Sequence, residues 1–194
     1  MPRLISTFLC CWLLALGLAA APTDHSSEIA SLINPAKLAT LGERGANPRV
    51  EKAVYWLALA RSEGARPARV LDRAVAMAGY RDNAAKLTKD SLLRNLSIAK
   101  KLGCLTQESL AAMRRGEAAT VMKGPNKGDE LSVDHIIPRA VVPELDNVIA
   151  NLELMPLRMN EKKNARIGSR QRDLAKKFYQ AGLLSKKGLE AVVP

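Results

Sequence analysis

The chain has 194 residues, 47% of them apolar and 25% charged, a globular composition that excludes general disorder and a long multidomain protein. Its 30 Lys and Arg against 19 Asp and Glu give a formal net charge of +11, so a partner rich in negative charge is expected: nucleic acid, or an anionic membrane or envelope surface. Of the three cysteines, Cys10 and Cys11 lie in the apolar start of the chain and only Cys104 lies beyond it.

In chain order, Arg3 leads into an uncharged run from Leu4 to Ala21 that ends in alanines. This is a secretory signal pattern, and it predicts a signal peptide over residues 1–21 and an exported protein, periplasmic or secreted. An uncleaved anchor is the alternative, since the run approaches the length that spans a bilayer. Cleavage after Ala19 or Ala20 would leave Cys104 alone, with no internal disulfide and no cysteine-based structural zinc site.

Residues 22–120 read as five short amphipathic helices. Asn34-Pro35 and Asn47-Pro48 each set a capping side chain before a proline at the first helical position. The first helix is expected to close at Gly42 and the second to run to about Ser62. Pro67 opens a third, to about Ala78. Thr88 is read as the cap of a fourth, which Gly103 stops, and Thr106 to Arg115, ended by Gly116, is the fifth. Helices this short need one another, so a helical bundle is expected. Gly124, Pro125, Asn126 and Gly128 then crowd into a loop or domain junction at residues 121–130.

From Leu131 the character changes. LSVDHIIP is a β-branched, apolar run with Asp134 and His135 in its middle and Pro138 at its end, and Asn151 to Met155 reads as a second short strand. Pro156 to Ile167 reads as a helix stopped by Gly168. Behind it, residues 169–194 form a basic helical extension. Between positions 158 and 177 lie Arg158, Lys162, Lys163, Arg166, Arg170, Arg172, Lys176 and Lys177, a composition suited to phosphate. His135 is the only histidine in the region expected to fold, because His25 sits just behind the leader.

Asp134-His135-Ile136-Ile137-Pro138, then Asn151-Leu152, then Asn160-Glu161-Lys162-Lys163, with the two asparagines nine positions apart, resemble the HNH endonuclease family. The resemblance covers about a fifth of the chain. It implies a ββα-metal module over residues 131–168 and a one-metal phosphodiesterase. The fold class expected is mainly α with a small β component (α+β), an N-terminal helical bundle packed on that module.

By the same resemblance Asp134 and Asn160 would hold Mg²⁺ or Mn²⁺ as hard oxygen ligands, and His135 would take a proton from the attacking water. Asn151 would tether the loop between the strands and keep the histidine in register, with Asp146-Asn147 a competitor for that role. Arg139, Lys163, Arg166 and Arg170 would meet phosphate oxygens of DNA or, second, RNA. The implied activity is a metal-dependent endonuclease with little sequence preference. The alternative is an exported, non-catalytic nucleic-acid-binding or envelope protein that retains the shape. Two departures stand out. There are no paired cysteines for a structural zinc, so helical neighbours must hold the module. Adjacent side chains on a regular strand also point to opposite faces, so Asp134 and His135 can serve one site only where the pleat is disturbed.

Overall fold

The computed structural model of the protein describes residues 24–163 and 165–193. The expected signal peptide, and with it Cys10 and Cys11, lies outside the described residues. Among the described residues no helix is long and apolar enough to cross a membrane.

The N-terminal half is helical: α1 Ser26–Ile33, α2 Pro35–Leu38, α3 Asn47–Ser62, α4 Pro67–Met77, α5 Asp82–Lys101 and α6 Gln107–Arg115. Asn34 caps α2 as its spacing predicts, its side chain accepting from Lys37 N at 3.1 Å. Asn47 does not cap α3. The cap position falls on Ala46, and the Asn47 Oδ1 is buried without a partner. Thr106 caps α6 by accepting from Ser109 N, and Gly116 ends it in the left-handed conformation at φ 81°.

Three helix expectations need correction. α2 stops at Leu38, well before Gly42. α5 begins at Asp82 rather than after Thr88, and Thr88 is buried in its interior. α1 was not expected at all. Its Ile29, Ala30 and Ile33 are buried, and it packs on α3 and α4, which supply what eight residues cannot supply alone. His25, read as part of an unfolded lead-in, stands before α1. Its Nε2 lies 2.9 Å from Glu63 and its ring stacks obliquely on Trp56 with centroids 4.9 Å apart.

The loop at 121–130 is tied down. Thr120 bridges Glu130, Val121 N donates to Asp129 O at 2.8 Å, and Val121 is fully buried. The chain then enters β1, Leu131–His135, which pairs antiparallel with β2, Leu152–Pro156, in a register that sets Asp134 opposite Glu153 and His135 opposite Leu152. Short 3₁₀ turns at Pro143–Leu145 and Ile149–Asn151 punctuate the connection. α7, Leu157–Lys162, follows β2 directly; α8, Ser169–Gln180, and α9, Lys186–Val192, complete the fold. Mainly α with a small two-stranded sheet is the architecture the sequence implies.

One apolar core joins the helices to the sheet: Val50, Leu57, Leu71 and Leu92 share it with Leu131, Val133, Leu152 and Leu154. A second lies under the connection between the strands, where Ile137, Val142 and Leu145 meet Phe178, Leu184 and Val192. Phe178 packs inward from α8.

Polar side chains of α5 fasten the sheet to the bundle. Ser91 Oγ donates to the carbonyls of Ile149 and Leu152 at 3.0 and 3.2 Å. Asn95 Nδ2 donates to Leu152 O at 3.0 Å, while its Oδ1 accepts from Leu154 N at 2.8 Å. Both side chains are fully buried. α5 thus satisfies the outer edge of β2 as a third strand would.

Candidate functional site

β1 carries Asp134 and His135 as its last two residues. Beyond them the ladder gives way to a side-chain clamp. Ile136 N still donates to Asn151 O at 2.8 Å, but Ile137 N donates to the Asn151 side chain at 2.8 Å. Asn151 Nδ2 in turn donates to Ile137 O at 3.0 Å and reaches Leu145 O at 3.4 Å. The residue is fully buried and touches three backbone groups rather than the histidine. It is a positioning residue, and it pins both ends of the connection.

Both residues keep the register of the ladder, His135 buried and Asp134 half-buried. Asp134 and His135 both line one cleft of about 180 Å³, together with Arg44, Arg139 and Lys163. His135 is 7% exposed. Its Nε2 lies 3.0 Å from the carbonyl oxygen of Asp146. A carbonyl can only accept, so Nε2 carries the hydrogen in the neutral ring and Nδ1 keeps its lone pair. The Asp146 Oδ1 also stands 2.9 Å from Nε2, off the line of that bond, and it is buried with no other partner.

Asp134 is paired with Lys163, whose Nζ also donates to His135 O at 2.8 Å. These two bonds draw Lys163 out of the helix. The backbone turns extended there, so α7 ends at Lys162 and not at Ile167 as the residue pattern suggests. Ser132 and Asp134 share one face of β1 by strand alternation, and α7 lies over that face. Asn160 Nδ2 donates to Ser132 Oγ at 3.1 Å, and Lys163 meets Asp134. The residue that enters the cleft is therefore Lys163, just past the end of α7, while Asn160 sits two strand positions along.

The expected phosphate contacts divide. Arg139 lines the cleft and is paired with Glu43, and Arg166 is exposed, next in sequence to Ala165 of the cleft lining. Arg170 is committed elsewhere: its Nη2 lies 2.6 Å from Glu153, which also takes Arg94 Nε at 2.8 Å. That carboxylate ties α5, β2 and α8 together, and burial pulls the Arg94 pKa below its usual value against the raising effect of Glu153. Arg170 is thus a joint of the fold. Arg158 is likewise held, its backbone N donating to Asp129 at 2.9 Å.

No protein-family model matches this chain, and no curated protein or solved structure is significantly similar to it. Two features of the cleft come from Asp146 and Asn147, which the residue pattern offers only as a competitor for the tether role of Asn151. Asp146 supports the histidine, and through Oδ2 it also accepts from Arg44 N at 2.9 Å. Asn147, beside it, accepts from Ala46 N at 2.9 Å and donates to Gly42 O at 3.1 Å. Together they lash the 41–46 loop, about a hundred residues upstream, to the rim of the cleft.

A divalent ion of the Mg²⁺ or Mn²⁺ kind needs hard oxygen donors. Asp134 offers a hard carboxylate oxygen, and Asn160, with its nitrogen turned to Ser132, has an amide oxygen to give on the same side of β1. Among the described residues no group of three or more His, Cys, Asp or Glu gathers there or elsewhere. Two such oxygens would suit one weakly held Mg²⁺ or Mn²⁺ that keeps several waters, and Lys163 would have to leave Asp134 for it.

Proposed function

We propose that the protein is a metal-dependent endonuclease of the HNH type that hydrolyses phosphodiester bonds of nucleic acid, DNA before RNA, with little sequence preference. The observation that carries this reading is the meeting of Asp134 and His135 in one basic cleft, with His135 fixed through Nε2 so that Nδ1 is the proton acceptor. Asp134 and Asn160 would hold the ion, which when bound neutralises charge on the scissile phosphate and the departing oxygen.

The chain's own groups supply the remainder. His135 Nδ1 takes the proton of the attacking water, and Asp146 keeps the ring from turning away. Asn151 keeps the loop under His135 fixed. Arg139 and Lys163 offer cations to phosphate oxygens, which position a backbone without reading bases. The exported location suggested by the first 21 residues fits an enzyme acting on nucleic acid outside the cytoplasm.

The second reading, a nucleic-acid-binding protein without turnover, is favoured by the seat of Lys163 on Asp134. Plasmid cleavage separates the two. Purified protein with Mg²⁺ or Mn²⁺ is expected to nick DNA, with the activity lost in EDTA and in His135→Ala. Binding without cleavage of DNA or RNA under any divalent ion, in wild type and variant alike, would overturn the nuclease reading in favour of the second.

A further inference from the structure

Arg44 lies ninety residues upstream of the motif, yet it lines the same cleft as Asp134 and His135. Its backbone is in the left-handed region at φ 55°, a conformation that a long side chain rarely adopts. Such strain persists only where the surroundings over-determine it. Here they do. Asp146 Oδ2 accepts from Arg44 N, and Asn147 holds the loop on both sides of it through Gly42 O and Ala46 N.

The cations of the cleft are not equivalent. Lys163 is paired with Asp134 and Arg139 with Glu43. Arg44 is exposed, and its backbone, not its guanidinium, makes the contacts that fix it. Asp146 meets the histidine through its backbone carbonyl and fixes the Arg44 backbone through Oδ2. A single residue therefore links a proton acceptor to the segment that carries a guanidinium.

We infer that Arg44 is the phosphate-gripping residue of this cleft, donating to a non-bridging oxygen of the phosphodiester beside His135. The inference rests on the nuclease reading for its substrate, and it adds a residue that the motif does not contain. Planar, two-pronged donation suits a phosphate better than a lysine does. The tethered backbone holds the residue at the rim of the cleft.

The test compares Arg44→Ala, Arg44→Gly and Arg44→Lys with wild type, first in cleavage and then in the binding of a duplex by each variant in a His135→Ala background across a salt series. Glycine relieves the left-handed strain, so Arg44→Gly should melt no lower than wild type. Its kcat/KM should nevertheless fall about ten- to a hundredfold, with Arg44→Lys recovering part of the loss. The slope of log K against log salt should drop by about 1 in both Arg44→Ala and Arg44→Gly. Wild-type kcat/KM and wild-type slope in Arg44→Gly would overturn the inference while leaving the nuclease reading intact. If wild type cleaves nothing, that reading fails, and the salt slope alone still decides whether Arg44 grips phosphate.

Discussion

Replacing Asn151 by alanine removes three hydrogen bonds at once and puts nothing in their place. The Ile137 N–H loses its acceptor at 2.8 Å, and the carbonyls of Ile137 and Leu145 lose donors at 3.0 and 3.4 Å, in a place without solvent. An orphaned buried donor costs about 1–3 kcal/mol, and the carbonyls less because each has a second lone pair. With the small cavity added, the expected loss is about 3–5 kcal/mol, a large share of the total for a domain of this size. Asn151→Asp sharpens the argument. It keeps the acceptor for Ile137 N but turns a carboxylate oxygen toward two carbonyls, so burial raises that carboxyl's folded pKa above its unfolded value. A raised pKa makes stability greatest at low pH, where a protonated oxygen can donate to Ile137 O, and takes stability away as pH rises through the folded pKa. Urea unfolding at about pH 5 and 8 is the assay, with the midpoint read at constant slope. A loss below ~1 kcal/mol in Asn151→Ala, or no pH dependence in Asn151→Asp, would refute the clamp.

Two further outcomes follow from other residues. Glu51 is buried on α3, and desolvation raises its pKa to about 7 from 4.5. Its folded pKa is the higher one, so the contribution is fully present below pH 4.5 and fades as pH rises through about 7. Glu51→Gln should be more stable than wild type at about pH 8 and should flatten the stability profile across that window; a profile unchanged by the substitution would refute the assignment. Lys163→Met removes the cation seated on Asp134, and calorimetric titration with Mn²⁺ should then show binding tighter by about tenfold, equal to ~1.4 kcal/mol. Weaker binding would mean that Lys163 supports the ion instead of competing with it.

The parts of the fold that were legible in the sequence are those governed by neighbours in the chain. The order strand, loop, strand, helix could be read from β-branched runs and from punctuation by Pro and Gly. The cap at Asn34 and the stop at Gly116 followed from local backbone chemistry. What was hidden depends on distant partners. α1 exists because α3 and α4 cover it, and α5 starts six residues before Thr88, at Asp82, whose φ of 47° no local cue announces. The helix expected to reach Ile167 ends at Lys162 because Lys163 is claimed by Asp134 across the sheet.

The candidate site divides the same way. Asp134, His135 and Asn151 carried a spacing that a reader could recognise. Asp146 stood out only as part of a competitor for the tether role of Asn151, and Arg44 looked like one charge among thirty basic side chains. Their roles come from contacts separated by about a hundred positions, which no window along the chain can see. Arg170 shows the converse error. Its place in a basic run suggested phosphate, and Glu153 claimed it.

The seam between α5 and β2 has a practical meaning for anyone cutting this chain. A two-stranded sheet is marginal by itself. The backbone edge that Ser91 and Asn95 satisfy would stand bare in a fragment beginning at residue 131. Such a fragment would contain each residue of the recognisable motif, but neither the loop that carries Arg44 nor the helix that completes the sheet. A fragment of residues 131–194 would therefore keep those residues and lack the cleft that Arg44 helps to line.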